Sequence, residues 1–259
     1  MTEPRIHWID SHCHLDLAVF DLDRALVLKR AQALGVRQLV IPAVTRRGWS
    51  QLLHCCTASP ALYPALGLHP MFQDEHTKED LIALERALDD PTVIAVGEIG
   101  LDFHKPVPDR STQQDFFRCQ LAIAHQASLP VLLHVRKAHD VALSILRQAD
   151  VCGGIVHAFN GSLQQARQYN DLGFKLGFGG MLSLPQSRKL QRLVRDLPLA
   201  TLVLETDAPD LSGFGHQDQR NSPEFLPEYG RCLAQLRGLE PAALADIVCS
   251  NTCDVLRLH

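Results

Sequence analysis

The sequence predicts an α/β protein folded as a TIM (β/α)₈ barrel. Eight short apolar runs alternate along the chain with longer segments of helical periodicity. Most of these runs are apolar throughout, as strands covered on both faces are. The length of 259 residues falls in the usual range for one such barrel. A doubly wound open sheet is the alternative that this alternation leaves open.

The apolar runs are assigned as strands because they are short and rich in Val, Ile and Leu. In chain order the predicted strands are Ile6–Asp10, Gln38–Val44, Leu62–Leu68, Val93–Glu98, Val131–His134, Gly154–His157, Phe174–Phe178 and Leu202–Asp207. Regular alternation of strand and helix indicates parallel strands, because each crossover helix returns the chain to the same end of the sheet.

The amphipathic segments between the strands are assigned as helices, and several carry end signals. Leu22–Leu34 stops at Gly35, the residue type that most often ends a helix in the left-handed conformation. Lys78–Leu88 follows Thr77, a suitable N-cap. The other predicted helices are Ser111–Ala127, Ala138–Arg147, Ser162–Leu172, Pro185–Leu197, Pro223–Leu236 and Pro241–Leu256. No linker or repeat interrupts the pattern, so residues 1–259 are expected to form a single domain.

Composition argues against several classes of protein. The formal net charge of −4 argues against a surface that holds nucleic acid through many phosphate contacts. No apolar run approaches the roughly 20 residues of a membrane span, and the first ten residues lack the features of a secretory signal. We expect a cytoplasmic protein that does not bind membranes and whose eight cysteines stay reduced. No obligate protein partner is evident, so a monomer is expected.

Potential metal ligands stand at the carboxyl ends of five predicted strands, where the active site of a (β/α)₈ barrel lies. They are His12, His14, Glu98, His134, His157 and Asp207. His12 and His14 fall on one face because side chains alternate along an extended chain. Burying these imidazoles and carboxylates together without a cation would be costly.

Two divalent cations would remove that cost. We interpret His12, His14 and Asp207 as ligands of one ion, and His134 and His157 as ligands of a second. Glu98 would bridge the two ions. Imidazole ligands favour Zn or Mn, while Mg, Co and Ni are also compatible with the set. Water activated by such ions attacks phosphoryl or carbonyl groups, and Asp207 is placed to take its proton. Glu98 and Asp207 are therefore the predicted catalytic residues.

Three stretches of the chain resemble the signatures of the TatD family of metal-dependent deoxyribonucleases. They are Ile9–Leu15, Val96–Asp102 and Leu204–Pro209, and the similarity runs the whole length of the chain. The stretches GEIGLD and LETDAP are far more specific than the His-x-His pair. Within the family the chain looks closest to the YjjV-like branch, whose members are mostly described as metal-dependent hydrolases of undefined substrate.

The resemblance implies a TIM barrel, two divalent metals at the positions chosen above, and hydrolysis of phosphodiester bonds as in a DNase. The expected substrate is nucleic acid or a small phosphoester. The chain departs from its relatives at His157-Ala158-Phe159-Asn160 and in the loop from Asp210 to Pro223. That loop is expected to shape substrate choice.

Two further residues are predicted to touch substrate. Arg136 follows strand five and suits a phosphate oxygen, which arginine recognises in a bidentate manner. His69 lies near the end of strand three and suits either substrate or a residue behind the metal ligands.

Two other functions remain open. The first is amidohydrolase chemistry on an amide, a lactone or a base, in which many enzymes bridge their metals through a modified lysine on strand four. Glu98 at that position favours phosphodiester hydrolysis. The second is a metal-binding module without turnover.

Overall fold

The computed structural model describes residues 6–104 and 110–258, and it confirms the barrel. Within these residues eight parallel strands form one sheet in the order of the chain. They are β1 (Trp8–Asp10), β2 (Val36–Pro42), β3 (Leu62–Leu66), β4 (Ala95–Asp102), β5 (Val131–Arg136), β6 (Gly154–Val156), β7 (Phe174–Phe178) and β8 (Leu202–Leu204). The backbone N–H of Ser11 donates to the carbonyl of Leu204 at 3.0 Å, and that of Asp207 donates to His12 at 2.9 Å. These bonds link the last strand to the first and close the ring.

The predicted strands are all present, and β1 and β7 end at the predicted residues, but the carboxyl ends of the other strands differ from the prediction. Strands β6 and β8 end one and three residues earlier than predicted, so His157 and Asp207 lie in the loops that follow. Strand β4 instead continues past Glu98, and its pairing with β5 shifts register between Val96 and Ile99. The backbone therefore leaves regular pairing at several of the positions where the predicted ligands stand.

Nine α-helices lie in the described part of the chain. They are α1 (Arg24–Ala33), α2 (Trp49–Thr57), α3 (Lys78–Ala87), α4 (Arg110–Ala127), α5 (His139–Leu146), α6 (Leu163–Asp171), α7 (Arg188–Asp196), α8 (Leu226–Arg237) and α9 (Pro241–Leu256). Helix α2 is missing from the prediction. It is short and contains Trp, Cys and Thr, which form helices weakly, and packing of Trp49, Leu52 and Cys55 in the core stabilises it instead. No helix among the described residues is long and apolar enough to cross a membrane.

The apolar interior has two parts. The larger cluster fills the space between the strands and the surrounding helices. The smaller cluster comprises Val40, Ala65, Ala95, Leu132, Ile155 and Val203 from six strands, with Leu256 and Leu258 from the end of the chain. We call this smaller set the lower layer. Side chains nearer the carboxyl ends of the strands line the site described next, among them His134, His157 and Glu205, each two residues beyond a member of the lower layer.

Candidate metal centre

All of the predicted ligands converge on the carboxylate of Glu98, which is 1% exposed. Its Oε2 lies 3.1 Å from Nε2 of His12 and 3.4 Å from Nε2 of His14. Its Oε1 lies 2.9 Å from Nε2 of His157 and 3.0 Å from Nδ1 of His134. The two carboxylate oxygens thus face two different pairs of imidazoles.

Asp207 lies on the Oε2 side of Glu98. Its Oδ1 is 3.6 Å from Nε2 of His12 and 3.7 Å from Nε2 of His14. Donor atoms of His12, His14 and Asp207 all lie within 4.8 Å of one another, close enough to hold one ion. A second such group joins His12, Glu98 and His157, so the imidazole of His12 also reaches the other side of the cluster.

The hydrogen bonds behind two of the imidazoles leave their lone pairs directed at Glu98. Nδ1 of His14 lies 3.1 Å from the carbonyl oxygen of Pro42, so in the neutral ring this nitrogen carries the proton and Nε2 is left with a lone pair. Nε2 of His134 lies 3.0 Å from Oδ2 of Asp102, which leaves Nδ1 with a lone pair. Acceptors facing a carboxylate repel it unless a proton or a cation lies between them. The donor set therefore fits divalent cations.

His69 differs from these ligands in its tautomer. Its Nδ1 accepts the backbone N–H of Met71 at 3.1 Å, so the proton of the neutral ring is on Nε2. That nitrogen lies 3.0 Å from Oε1 of Glu98 and donates to it. Although His69, Glu98 and His134 also form a compact group, the ring of His69 offers a donor there and no lone pair. We place it as a residue that orients Glu98.

Interactions within the cluster lower the pKa of Glu98 and raise the pKa of His14 and His157. Burial raises the pKa of Glu98, but the neighbouring imidazoles of His69, His157 and His12 outweigh burial and hold that pKa well below its ordinary value. Burial lowers the pKa of His14 and His157, but Glu98 and Asp207 outweigh it and raise these values to about 9 and about 10. Without metal, the carboxylates of the cluster thus favour the protonated form of these two imidazoles.

Two acidic residues behind the ligands were not predicted as part of the site. Asp102 accepts from His134 and also from the backbone N–H of His104 at 2.8 Å. Glu205 is 1% exposed, and its Oε1 accepts the N–H of Ala158 at 2.6 Å. The same oxygen lies 3.9 Å from Nδ1 of His157. Asp102 therefore lies beside His134, and Glu205 lies beside His157, the two imidazoles predicted to bind the second ion.

The position of Glu205 depends on a glycine of β7. A Cβ at Gly177 would lie 2.0 Å from Oε2 of Glu205, so only glycine leaves room for this carboxylate. Burial raises the pKa of Glu205 to about 8. The signal that could have identified it is its spacing from Asp207, because residues two apart on a strand share a face.

Asp10 ties the first and last strands together below the ligands. Its Oδ1 accepts the N–H of Thr206 at 2.9 Å, and its Oδ2 accepts the hydroxyl of Thr206 at 2.6 Å. Burial raises its pKa to about 7. These bonds hold His12 and Asp207, each one or two residues away, at a set separation.

A cavity of about 620 Å³ opens above the cluster, and its lining includes His14, Glu98, His134, His157 and Asp207. Arg136 and His69, the two predicted substrate contacts, also line it. The guanidinium groups of Arg46 and Arg47 do not. Arg46 donates to Asp80 at 2.9 Å, and Arg47 is paired with Glu75.

Comparison with known proteins gives a consistent result. Residues 9–257 match the model of a family described as TatD related DNase. The chain is 39% identical over 248 residues to YjjV of Escherichia coli K12, an uncharacterized metal-dependent hydrolase, covering 95% of this chain and 96% of that protein. It is 32% identical over 257 residues to the 3'-5' ssDNA/RNA exonuclease TatD of Erwinia billingiae, covering 96% and 98% of the two chains. The crystal structure of the Escherichia coli YjjV protein superposes with a TM-score of 0.94 at 38% identity, covering 97% and 98%.

Proposed function

The chain belongs to the TatD related DNase family of metal-dependent hydrolases, and from that premise we propose that it hydrolyses phosphodiester bonds in nucleic acid or a smaller phosphoester. One observation carries this proposal. Lone pairs of buried imidazoles and carboxylates converge at the floor of an open cavity, and a guanidinium group lines the same cavity. The candidate metal ligands and a guanidinium group suited to phosphate thus line the same cavity.

We assign His12, His14 and Asp207 to one cation and His134 and His157 to the other, with Glu98 shared. When bound, the cations activate a water molecule and polarise the phosphoryl oxygen. The mixture of imidazole and carboxylate donors favours Zn or Mn, and it accepts Co, Ni or Mg.

The remaining steps belong to side chains. Asp207 takes the proton of the attacking water and returns it to the leaving oxygen, and burial favours this role because it raises the pKa of that carboxyl. Arg136 binds a phosphate oxygen of the substrate. His69 holds Glu98 in place through its Nε2–H.

Location and assembly form part of the same proposal. All eight cysteines are free thiols, which suits the reducing cytoplasm. We propose a cytoplasmic monomer, which size-exclusion chromatography with light scattering tests directly.

The decisive experiment is a substrate panel on protein stripped of metal and then reloaded with Zn, Mn or Mg. We expect the reloaded protein to hydrolyse bis(p-nitrophenyl) phosphate and single-stranded DNA or RNA, and the stripped protein to be inactive. Hydrolysis of a lactone or an amide, with all phosphodiesters untouched, would instead establish the amidohydrolase reading. Bound metal with no turnover of any compound would establish a binding module.

The role of Asp207 has its own test. Asp207→Asn removes the proton acceptor but keeps an oxygen donor, so kcat should fall about a hundredfold or more in fully loaded protein. Metal content per chain, measured by mass spectrometry, should fall much less than kcat. Equal losses of both would assign Asp207 to metal binding alone.

A further inference from the structure

The cavity above the metal ligands has two apolar walls. Met71 and Phe72 follow β3, while Met181 follows β7 and Leu211 follows β8. Since β3 and β7 are four strands apart in a ring of eight, these segments stand on opposite sides of the cavity. The ligands lie on the floor between them.

These wall residues are unusually exposed for apolar side chains. Met71 is 52% exposed, Leu211 is 38% exposed, and Phe72 and Met181 are each 37% exposed. They make up four of the ten large hydrophobic side chains exposed in the described structure, and all four line this one cavity. A concentration of exposed apolar surface around a site indicates a ligand that covers it.

Positive charge is scarce in the same cavity. Arg136 is the one lysine or arginine among its described lining residues, and Asp210 adds an acidic group at the edge. Other arginines near this end are engaged elsewhere, as the Arg46–Asp80 pair and the packing of Arg110 over the ring of Phe103 at 4.7 Å show. A long single strand needs several phosphate contacts along its path, and this lining offers one.

We propose that the cavity selects a short phosphodiester that carries an aromatic group of nucleobase size and at most one phosphate beyond the one that reacts. The aromatic group would lie between the wall of Met71 and Phe72 and the wall of Met181 and Leu211. Arg136 would contact the flanking phosphate. This inference rests on the proposed phosphodiesterase function and names its substrate class.

The apolar contribution is tested with two chromogenic esters of the same leaving group. Thymidine 5'-(p-nitrophenyl phosphate) carries a base, and methyl p-nitrophenyl phosphate does not. We expect kcat/KM for the thymidine ester to exceed that for the methyl ester by at least about tenfold in Mn-loaded protein. Phe72→Ser and Met181→Ser should each bring this ratio down toward one. Phe214→Ser is the matched control, because Phe214 is 59% exposed but does not line the cavity, and it should leave the ratio unchanged.

The single phosphate contact is tested by salt dependence. With a thymidine dinucleotide that carries a 5'-phosphate, log kcat/KM should fall against log salt concentration with a slope of about −0.7, the value for one contact on a single strand. A 20-residue thymidine oligonucleotide should give nearly the same slope and no higher kcat/KM per end. Arg136→Gln should remove most of the slope for both.

Three results would overturn the inference. Equal rates for the two esters would show that the walls bind nothing, and the phosphodiesterase function would stand. A slope several times steeper for the 20-mer, with a large preference for it, would establish a binder of long strands, again with that function intact. Failure to hydrolyse either ester under any metal would remove the proposed function itself, and this inference with it.

Discussion

The two ends of the barrel interior are built from the same strands and have opposite chemistry. On β5 the inward residue Leu132 belongs to the apolar lower layer, and His134 and Arg136 follow it at intervals of two. Ile155 on β6 is followed by His157 in the same way. The lower layer has Leu256 and Leu258 packed against it, whereas the residues above it line an open cavity.

The lower layer contributes stability, and the residues above it carry the proposed function. The lower layer is stabilised by apolar area removed from water. Three buried carboxyls above it oppose folding of the metal-free chain, because burial raises the pKa of Asp10, Glu205 and Asp207. Ala158 and Asp207 also adopt positive φ angles of 43° and 56°, a conformation that costs about 1–3 kcal/mol for residues other than glycine. Unfavourable groups and backbone are thus concentrated at the end where the chemistry is proposed.

The largest expected effect of a single substitution is at Glu98. Glu98→Gln removes the shared negative charge, so the cluster should retain less metal and kcat should fall by about a thousandfold or more. Metal content and phosphodiesterase rate are measured together. Asp80→Asn is the control, because Asp80 is a buried carboxylate that pairs with Arg46 outside the cavity. A Glu98→Gln enzyme with wild-type rate at equal metal content would refute the shared-ligand role.

A substitution in the lower layer should lower the stability of the fold and leave metal binding unchanged. Ile155→Ala leaves a void among the inward side chains, so the free energy of unfolding should fall by about 2–5 kcal/mol. Metal content per folded chain should stay at the wild-type value. Denaturant titration with metal analysis measures both. Loss of metal with unchanged stability would show that the two ends are not separable.

The pKa values of two histidines in the cluster predict how metal affinity changes with pH. The raised pKa values of His14 and His157, about 9 and about 10, mean that both rings are charged near neutral pH in the metal-free protein. Each cation must displace one of these protons, so its apparent affinity should rise with pH by up to about tenfold per unit between pH 7 and pH 9. Calorimetry in buffers of different ionisation enthalpy measures the proton release.

The stability of the metal-free protein should change with pH in the opposite direction to its metal affinity. A histidine with a raised folded-state pKa adds stability that is complete below its ordinary value near 6.5 and is lost as pH rises through its folded value. Glu205 and Asp10, with pKa values raised to about 8 and about 7, lose stability in the same direction. With chelator present, Tm should therefore fall from pH 6.5 to pH 9. A Tm that rises over this interval would contradict the assignment of protons to the cluster.

The smallest effect is expected at Glu205. Glu205→Gln keeps an oxygen that accepts from Ala158 but cannot ionise beside His157, so metal affinity above pH 8 should fall about 10–100-fold. Competition with a calibrated chelator measures this change. A purely structural role would alter Tm and leave the affinity at the wild-type value.

Much of the fold was predictable because barrel strands buried on both faces read as continuous apolar runs. Every predicted strand is present, and Thr77 is the N-cap of α3, as predicted. Helix α2 was missed because it is short and about half of its residues form helices weakly, and tertiary packing of Trp49, Leu52 and Cys55 stabilises it. The convergence of the ligands was also predictable, because parallel strands end on one side of a barrel.

The sequence by itself determined the barrel and the set of residues that meet at its open end, since the alternation of strands with helices and the residue at the end of each strand are read from local pattern. The tertiary structure decided which nitrogen of each imidazole faces Glu98, how Gly177 makes room for Glu205, and which loops wall the cavity. Those features come from segments far apart in the chain. Their distances exist only after the ring has closed, so no local pattern encodes them.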